Sequence, residues 1–260
     1  MAETPGHHLC KDGSSTIYSS TFHQFYHNPN GAVAESIHVF FEQPGLLATL
    51  KSSPEAISVF EMGFGTGLNF VLLADLYLRF NAAFPLSFFS VEAFPITPDE
   101  AGELNYGDFL DHPHLMDGIP EIFQSLKPGL NQFNPIPGKQ ISLTIYNGLF
   151  ENIERGEFPE EVDFFFHDPF SPEVNESLWQ PDTFAKLRLM ANDRSVLATY
   201  SAASKARASM AKAGWKVARA SGALGKREMT LASPNSTTLS GFKRVNEDRL
   251  IERWDSGDFK

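Results

Sequence analysis

Three glycines at alternate positions, Gly63, Gly65 and Gly67, follow the acidic Glu61 and lead into an apolar run that begins at Leu68. Glycine reaches backbone angles closed to other residues and carries no Cβ, so such a loop lets a ligand lie directly against the main chain. The spacing is not the one that receives a pyrophosphate. A dinucleotide loop needs G-x-G-x-x-G at the start of a helix, whereas here Leu68 stands where the third glycine belongs and Gly67 comes one residue early. A second chemical stretch is Asp168-Pro169-Phe170-Ser171-Pro172. A carboxylate can accept N–H bonds from an amine, hold its lone pair toward an electrophile and assist loss of a proton. Phe170 adds a ring face for a base or a cation. A third feature is a run of cations, Lys205, Arg207, Lys212, Lys216, Arg219, Lys226 and Arg227, with no acidic residue between the first and the last. A local basic stripe is what phosphate contacts require.

These groups need a scaffold that brings distant loops to one edge. Residues 56–60 read as a buried strand and 68–80 as a helix, so the glycines sit on a strand-to-helix hinge, the ligand-binding corner of a doubly wound sheet. A second strand over 86–91 ends at Glu92, where a ribose hydroxyl pair would be held. Polar helical stretches over 97–126 and a Pro/Gly/Asn-rich loop over 127–139 precede a third strand, 141–146, closed by Gly148. The fourth strand, 162–167, runs straight into Asp168, which places that carboxylate at the mouth of the glycine loop. Further helices are expected over 183–190 and 202–213, and further strands over 195–200, 215–220 and 227–232. Such alternation, with strands nearly continuous in apolar residues, implies an α/β fold whose mostly parallel sheet is covered on both faces. Residues 1–55 stand outside the alternation. Strand-like stretches at 16–18 and 37–41 suggest a small antiparallel β cap.

Composition narrows the classes. The net charge of −11 excludes a surface that is basic all over, and the single cysteine, Cys10, excludes a disulfide framework or a Cys-built zinc site. His23, His27 and His38 follow no familiar metal-ligand spacing, so no metal is expected. No apolar stretch is long enough for a bilayer and the N-terminus has no signal-peptide core, so a cytoplasmic protein without membrane contact is expected.

An acidic residue before G-x-G-x-G resembles motif I of class I S-adenosylmethionine methyltransferases, and Asp168-Pro169-Phe170 is similar to the Asp-Pro-Pro-aromatic motif of those acting on amino groups. More specifically, 62–70 (MGFGTGLNF), 167–172 (HDPFSP) with Trp179 behind it, and 225–229 (GKREM) together resemble the methyltransferase domain of MnmC. The opening of the chain, with Asp12-Gly13-Ser14, Tyr26-His27 and Glu35, is similar to stand-alone versions of that domain. The likeness spans about 12–232.

The resemblance implies a Rossmann-like, class I methyltransferase fold with a mostly parallel seven-stranded sheet and a small N-terminal β extension. It implies a cap over 1–55, a methyltransferase domain over 56–240 and a C-terminal tail over 241–260. S-adenosylmethionine would lie against Glu61, Gly63, Gly65, Gly67 and Asn69, with Glu92 on its ribose, Gly148 and Leu149 at its adenine, and Asp168 beside the transferred methyl. Tyr26 and Phe170 would wall the acceptor, and Lys226 and Arg227 would meet tRNA. The implied reaction turns 5-aminomethyl(-2-thio)uridine at the tRNA wobble position into its 5-methylaminomethyl form. The residues alone leave open a small-molecule or protein amine as acceptor, and a non-catalytic binding protein, against which Asp168 speaks. Two departures bear on the pocket: Gly148-Leu149 replaces the family's Gly-Asp, and Asp168-Pro169-Phe170-Ser171-Pro172 replaces Asp-Gly-Phe-Ala-Pro. In 260 residues no room is expected for the flavin domain of the bifunctional enzymes.

Overall fold

The structure, a computed structural model, describes residues 6–159 and 161–259. The chain opens with a small antiparallel sheet of β1 (His7–Leu9), β2 (Ser15–Ser19) and β3 (Gln24–Phe25), followed by α1 (Ala32–Ser36) and α2 (Leu46–Lys51). The strand expected over 37–41 is absent. Ile37–Glu42 instead continues α1 as a wide π turn, with Gln43 N donating to His38 O at 3.1 Å. Packing overrides the β propensity of this apolar run: the wide turn buries Val39, Phe40 and Phe41 side by side, and both rings stack near Phe166 of the main sheet, with centroids 5.0 and 5.5 Å away. The β cap is therefore built from β1, β2 and β3 alone, and residues of α1, the π turn and α2 share the core of the main sheet.

From residue 57 the alternation follows the expected order: β4 (Ile57–Met62), α3 (Leu68–Arg79), β5 (Leu86–Glu92), α4 (Pro98–Gly102), α5 (Ile119–Ser125), β6 (Gly129–Phe133), β7 (Ile141–Asn147), β8 (Val162–His167), α6 (Pro181–Met190), β9 (Ala191–Thr199), α7 (Ser204–Lys212), β10 (Lys216–Ser221), β11 (Glu228–Ser233), β12 (Lys243–Arg244) and α8 (Glu247–Asp255). The sheet order is β12-β10-β11-β9-β8-β4-β5-β7-β6, with β7, β5, β4, β8 and β9 parallel and the outer strands antiparallel. The expected seven strands form the interior, and two edge strands make nine. β6 lies in the stretch read as a loop, where it pairs with the edge of β7. β12 and α8 lie in the stretch read as a tail. Val217 N donates to Glu247 at 2.9 Å, and Lys212 of α7 pairs with Asp255 of α8 at 2.5 Å.

Both faces of the sheet are dry. In β4, Ile57 and Val59 join the core under α1, α2, α3 and α5, while Phe60 and Met62 join the one under α6 and α7 with Phe165, Leu197 and Trp215. β4 is also the switch point, since the chain leaves it toward β5 and β7 and returns on the other side through β8 and β9. Loops after its carboxyl end therefore open a crevice.

The cationic stripe is largely dismantled by this packing. Arg207 is buried on α7, where it donates to Glu228, to Thr230 Oγ1 at 2.9 Å and to Met229 O at 3.2 Å, which makes it a core residue. Lys205 pairs with Glu176, Lys212 with Asp255, Arg219 with Glu228 and Lys226 with Glu35. Lys216 opposes Ser233, whereas the 226–227 turn joins the other end of the β10–β11 pair, so the seven cations do not form one face. Arg207→Ala would strip Glu228 of its buried partner and leave Thr230 and Met229 short of a donor. Urea unfolding is expected to show a loss of about 3 kcal/mol, the lower end for breaking a buried ion pair, because Arg219 still reaches Glu228.

Candidate active site

The loop after β4 rises over the carboxyl end of the sheet and is tied to β5 by two bonds, from Gly63 N and Phe64 N to Val91 O at 3.0 and 3.1 Å. Gly63 and Gly65 both have left-handed backbones, φ 91° and 56°. A Cβ on Gly63 would stand 3.3 Å from Asp168 O, and one on Gly65 would stand 3.4 Å from the Tyr26 ring. These residues need glycine because the main chain is itself the wall of a crevice. Gly67 plays a different part, capping α3 with a Cβ position crowded by the Phe64 ring at 3.2 Å, and it does not line the crevice.

The crevice opens to solvent and spans about 910 Å³ including its mouth. Gly63, Gly65, Asn69 and Glu92 line it from one side, Gly148 and Leu149 from the second, and Asp168, Phe170 and Tyr26 from the third. Glu92 ends β5 with both oxygens engaged: Gly65 N donates to one at 2.8 Å and Phe94 N to the other at 2.8 Å. Burial raises its carboxyl, and these backbone donors pull it back toward the charged form. Each oxygen keeps a lone pair for a ligand hydroxyl.

Glu61 does not reach the crevice. It is buried beneath it, where Ser90 Oγ donates to one oxygen at 2.7 Å and Asn69 Nδ2 to the other at 3.0 Å. The same Asn69 nitrogen donates to Asp168 Oδ2 at 3.2 Å. Burial drives the Glu61 carboxyl well above the usual carboxylate range. Asp168 is also raised well above that range, by burial first and then by the negative charge of Glu35, against the Asn69 hydrogen bond and the positive charge of Lys226.

A second cavity, of about 1160 Å³, lies on the far side of Asp168. Tyr26, His27, Asp168, Pro169 and Phe170 line both cavities and form the partition between them. Lys226 faces this second cavity, while Arg227 lines neither. Further groups hold the partition, of which Tyr200 and Phe22 belong to no motif of the sequence. Tyr200, at the carboxyl end of β9, fixes the partition by donating to Pro169 O at 2.9 Å. Its place at the tip of a parallel strand is the one available clue. His27 donates or accepts at 2.7 Å with Thr66 and is held neutral by burial, which pushes it down to about 4. Phe22 comes from the β2–β3 turn and joins Phe94 to Phe170, with centroids 5.2 and 4.7 Å away, so that the N-terminal sheet roofs the crevice.

The residues lining the crevice fit S-adenosylmethionine: glycine main chain would lie along its amino-acid portion, the Glu92 carboxylate would take the ribose hydroxyls, and Leu149 beside Gly148 would meet the adenine face. A Gly65→Val variant would place a branched side chain in that space at a left-handed backbone position. It is expected to stay folded by circular dichroism and to lose calorimetric binding of S-adenosylmethionine. Wild-type affinity in a folded variant would remove the loop from the site.

Residues 121–235 match a family model described as S-adenosyl-L-methionine-dependent methyltransferase. Over 226 residues the chain is 29% identical to the "tRNA 5-methylaminomethyl-2-thiouridine biosynthesis bifunctional protein MnmC" of Leptospira interrogans, covering 86% of this chain and 34% of that protein. It is 32% identical over 232 residues to the protein of the same name from Cupriavidus metallidurans, covering 86% of this chain and 33% of the relative. The chain thus spans about a third of the length of the curated relatives it matches. Among solved structures, MNMC2 from Aquifex aeolicus superposes with a TM-score of 0.68 at 23% identity, over 97% of this chain and 76% of the other, a likeness of fold. With the glycine cradle and the doubly wound sheet, the family match supports an S-adenosylmethionine-dependent methyltransferase, and the chain is similar to the third of the MnmC proteins that it aligns with.

Proposed function

We propose that the protein methylates the amino group of 5-aminomethyluridine, with or without 2-thiolation, at the tRNA wobble position, giving 5-methylaminomethyluridine. The observation that carries this reading is the pair of cavities meeting on Asp168. One suits the methyl donor and the other the acceptor, and a carboxylate that binds amines stands between them. The names of the relatives supply the tRNA and the class of base.

When bound, S-adenosylmethionine supplies an electrophilic methyl on a sulfonium. The protein must bring an uncharged amine nitrogen in line with it and keep water away. Asp168 Oδ is placed to accept an N–H of the amine, fixing the direction of its lone pair. Methyl transfer, with the thioether as leaving group, would leave the nitrogen with one proton in excess. Asp168 takes that proton and passes it to solvent. Its raised carboxyl suits the task, since a base is most useful when its pKa lies near the working pH. Phe170 and Tyr26, with ring centroids 5.0 Å apart, narrow the partition and leave little room for a second methyl.

Asp168→Asn is expected to lower turnover on the order of a hundredfold or more. Its S-adenosylmethionine affinity should stay within a few-fold of wild type. The pH profile carries a sign. Because the Asp168 carboxyl is raised, the proton-accepting form is lost on acidification well before an ordinary carboxylate would titrate, so the acid limb of kcat/KM should sit above the usual carboxylate range. Asp168→Asn should erase that limb. Nucleoside analysis of aminomethyl tRNA after incubation with labelled S-adenosylmethionine tests the reading directly, with one methyl per base expected and no transfer sinking it.

Phosphate contacts are assigned to Arg227 at the site end of the sheet, which makes no ion pair among the described residues. Arg227→Glu should lower the salt slope of tRNA binding by about one unit for each phosphate the arginine neutralises. Lys216→Glu, at the far end of β10, should leave the slope unchanged.

A further inference from the structure

We propose that Glu35, through its ion pair with Lys226, sets the charge of the acceptor cavity and thereby selects its substrates, admitting amines without an acidic substituent and refusing those with a carboxylate beside the nitrogen. The proposal deepens the reading above and rests on it for the identity of the acceptor.

Lys226 Nζ lies 2.7 Å from Glu35 Oε1 and 5.3 Å from the centre of the Tyr200 ring. Glu35 comes from α1 and Lys226 from the turn between β10 and β11, so two remote segments meet at the cavity wall. Asn28 Nδ2 donates to the same Glu35 oxygen at 3.0 Å, which fixes the carboxylate. The turn is shaped to deliver the lysine. Lys226 N donates to Ala223 O at 2.9 Å, and Gly225 has a left-handed backbone, φ 84°. His38 on the π turn contacts Ser221 O at 2.7 Å and holds the turn against α1.

The cavity then holds two carboxylates, Asp168 and Glu35, and Lys226 is the one lysine or arginine among the described residues lining it. Because Lys226 is committed to Glu35, Asp168 is the acidic group of the cavity left without a cation of its own. An entering ammonium or amine completes that balance. A carboxylate on the acceptor meets Asp168 and Glu35 and finds no free lysine or arginine among the lining residues, and juxtaposed acidic groups are disfavoured. Without Glu35 the lysine is released. It can turn to Asp168, competing with the amine, or receive the acceptor's carboxylate.

The test uses the full chain with S-adenosylhomocysteine and two nucleoside probes, 5-aminomethyluridine and its N-carboxymethyl derivative, titrated by NMR. Wild type is expected to favour the simple amine by about tenfold or more. Glu35→Gln should bind the simple amine several-fold more weakly and the carboxymethyl probe more tightly, and should raise KM for aminomethyl tRNA more than it lowers kcat. Glu35→Asp, which keeps the charge, should keep the preference. In Glu35→Gln/Lys226→Met the released cation is gone, and preference for the simple amine should return toward wild type. A merely structural role would make this double variant worse than either single one. Equal binding of both probes by wild type overturns the proposal. So does an unchanged preference in a folded Glu35→Gln, or a double variant no better than Glu35→Gln. If wild type shows the preference but methylates no tRNA, the assignment of RNA as substrate fails while the charge selection stands.

Discussion

The side-chain amide of Asn69 donates to two carboxylates at once, Glu61 beneath the glycine loop and Asp168 at its mouth. Burial pushes both carboxyls toward the neutral form, and nearby negative charge adds to it, that of Asp168 at Glu61 and that of Glu35 at Asp168. The arrangement persists because each is given a hydrogen-bond donor that the fold supplies rigidly: Ser90 from β5 for Glu61, and Asn69 from the first turn of α3 for both. Parallel pairing of β4 with β5 and β8 sets Glu61 opposite Ser90 and brings Met62 opposite His167, one residue before Asp168. The position of the proposed base is thus a consequence of strand register.

The roof over the crevice depends on the same constraint from the other side. Gln24 at the start of β3 makes two bonds with Ser171, its Nε2 donating to the hydroxyl at 2.6 Å and its Oε1 accepting from the backbone N–H at 3.2 Å. Trp179 donates to Phe170 O at 2.9 Å from behind. The segment 168–171 is held between the N-terminal sheet and the body of the protein, which keeps Phe170 against Phe22 and Tyr26. A loop fixed at this many points positions a reacting group closely, and small displacements at such groups are costly to turnover.

Much of this is legible in the sequence because it is local. The glycine hinge, the strand ending at Glu92 and the strand running into Asp168 each follow from patterns within a dozen residues, and a parallel sheet places all three at one edge. What escapes depends on partners far away in the chain. Ile37–Glu42 has the composition of a strand but forms a π turn whose rings pack against Phe166 across the core. β6 and β12 are edge strands with little apolar pattern, formed because β7 and β10 offer unpaired edges. The cationic run looks unopposed in the sequence because its acidic partners, Glu35, Glu176 and Asp255, stand tens of residues away, while Glu228 falls just past its end. Glu61 stands out beside the glycines, but it is buried beneath the crevice, where it accepts from Asn69 and Ser90.

The charge balance of the chain takes a different meaning in this light. A net charge of −11 would oppose an RNA partner over most of the surface, and most cations of the basic run are consumed in internal pairs. Recognition by bulk electrostatics is therefore a poor description of this protein. The burden falls on the cavity beyond Asp168, where Tyr18, Phe25 and Tyr26 offer ring faces and Gln24, Asn28 and Asn30 offer amides. Rings can stack on an extruded base and amides can read its edges. On the proposed reading, a base drawn into such a cavity would bring its amine to the partition from the side opposite the methyl donor, the geometry that in-line transfer requires.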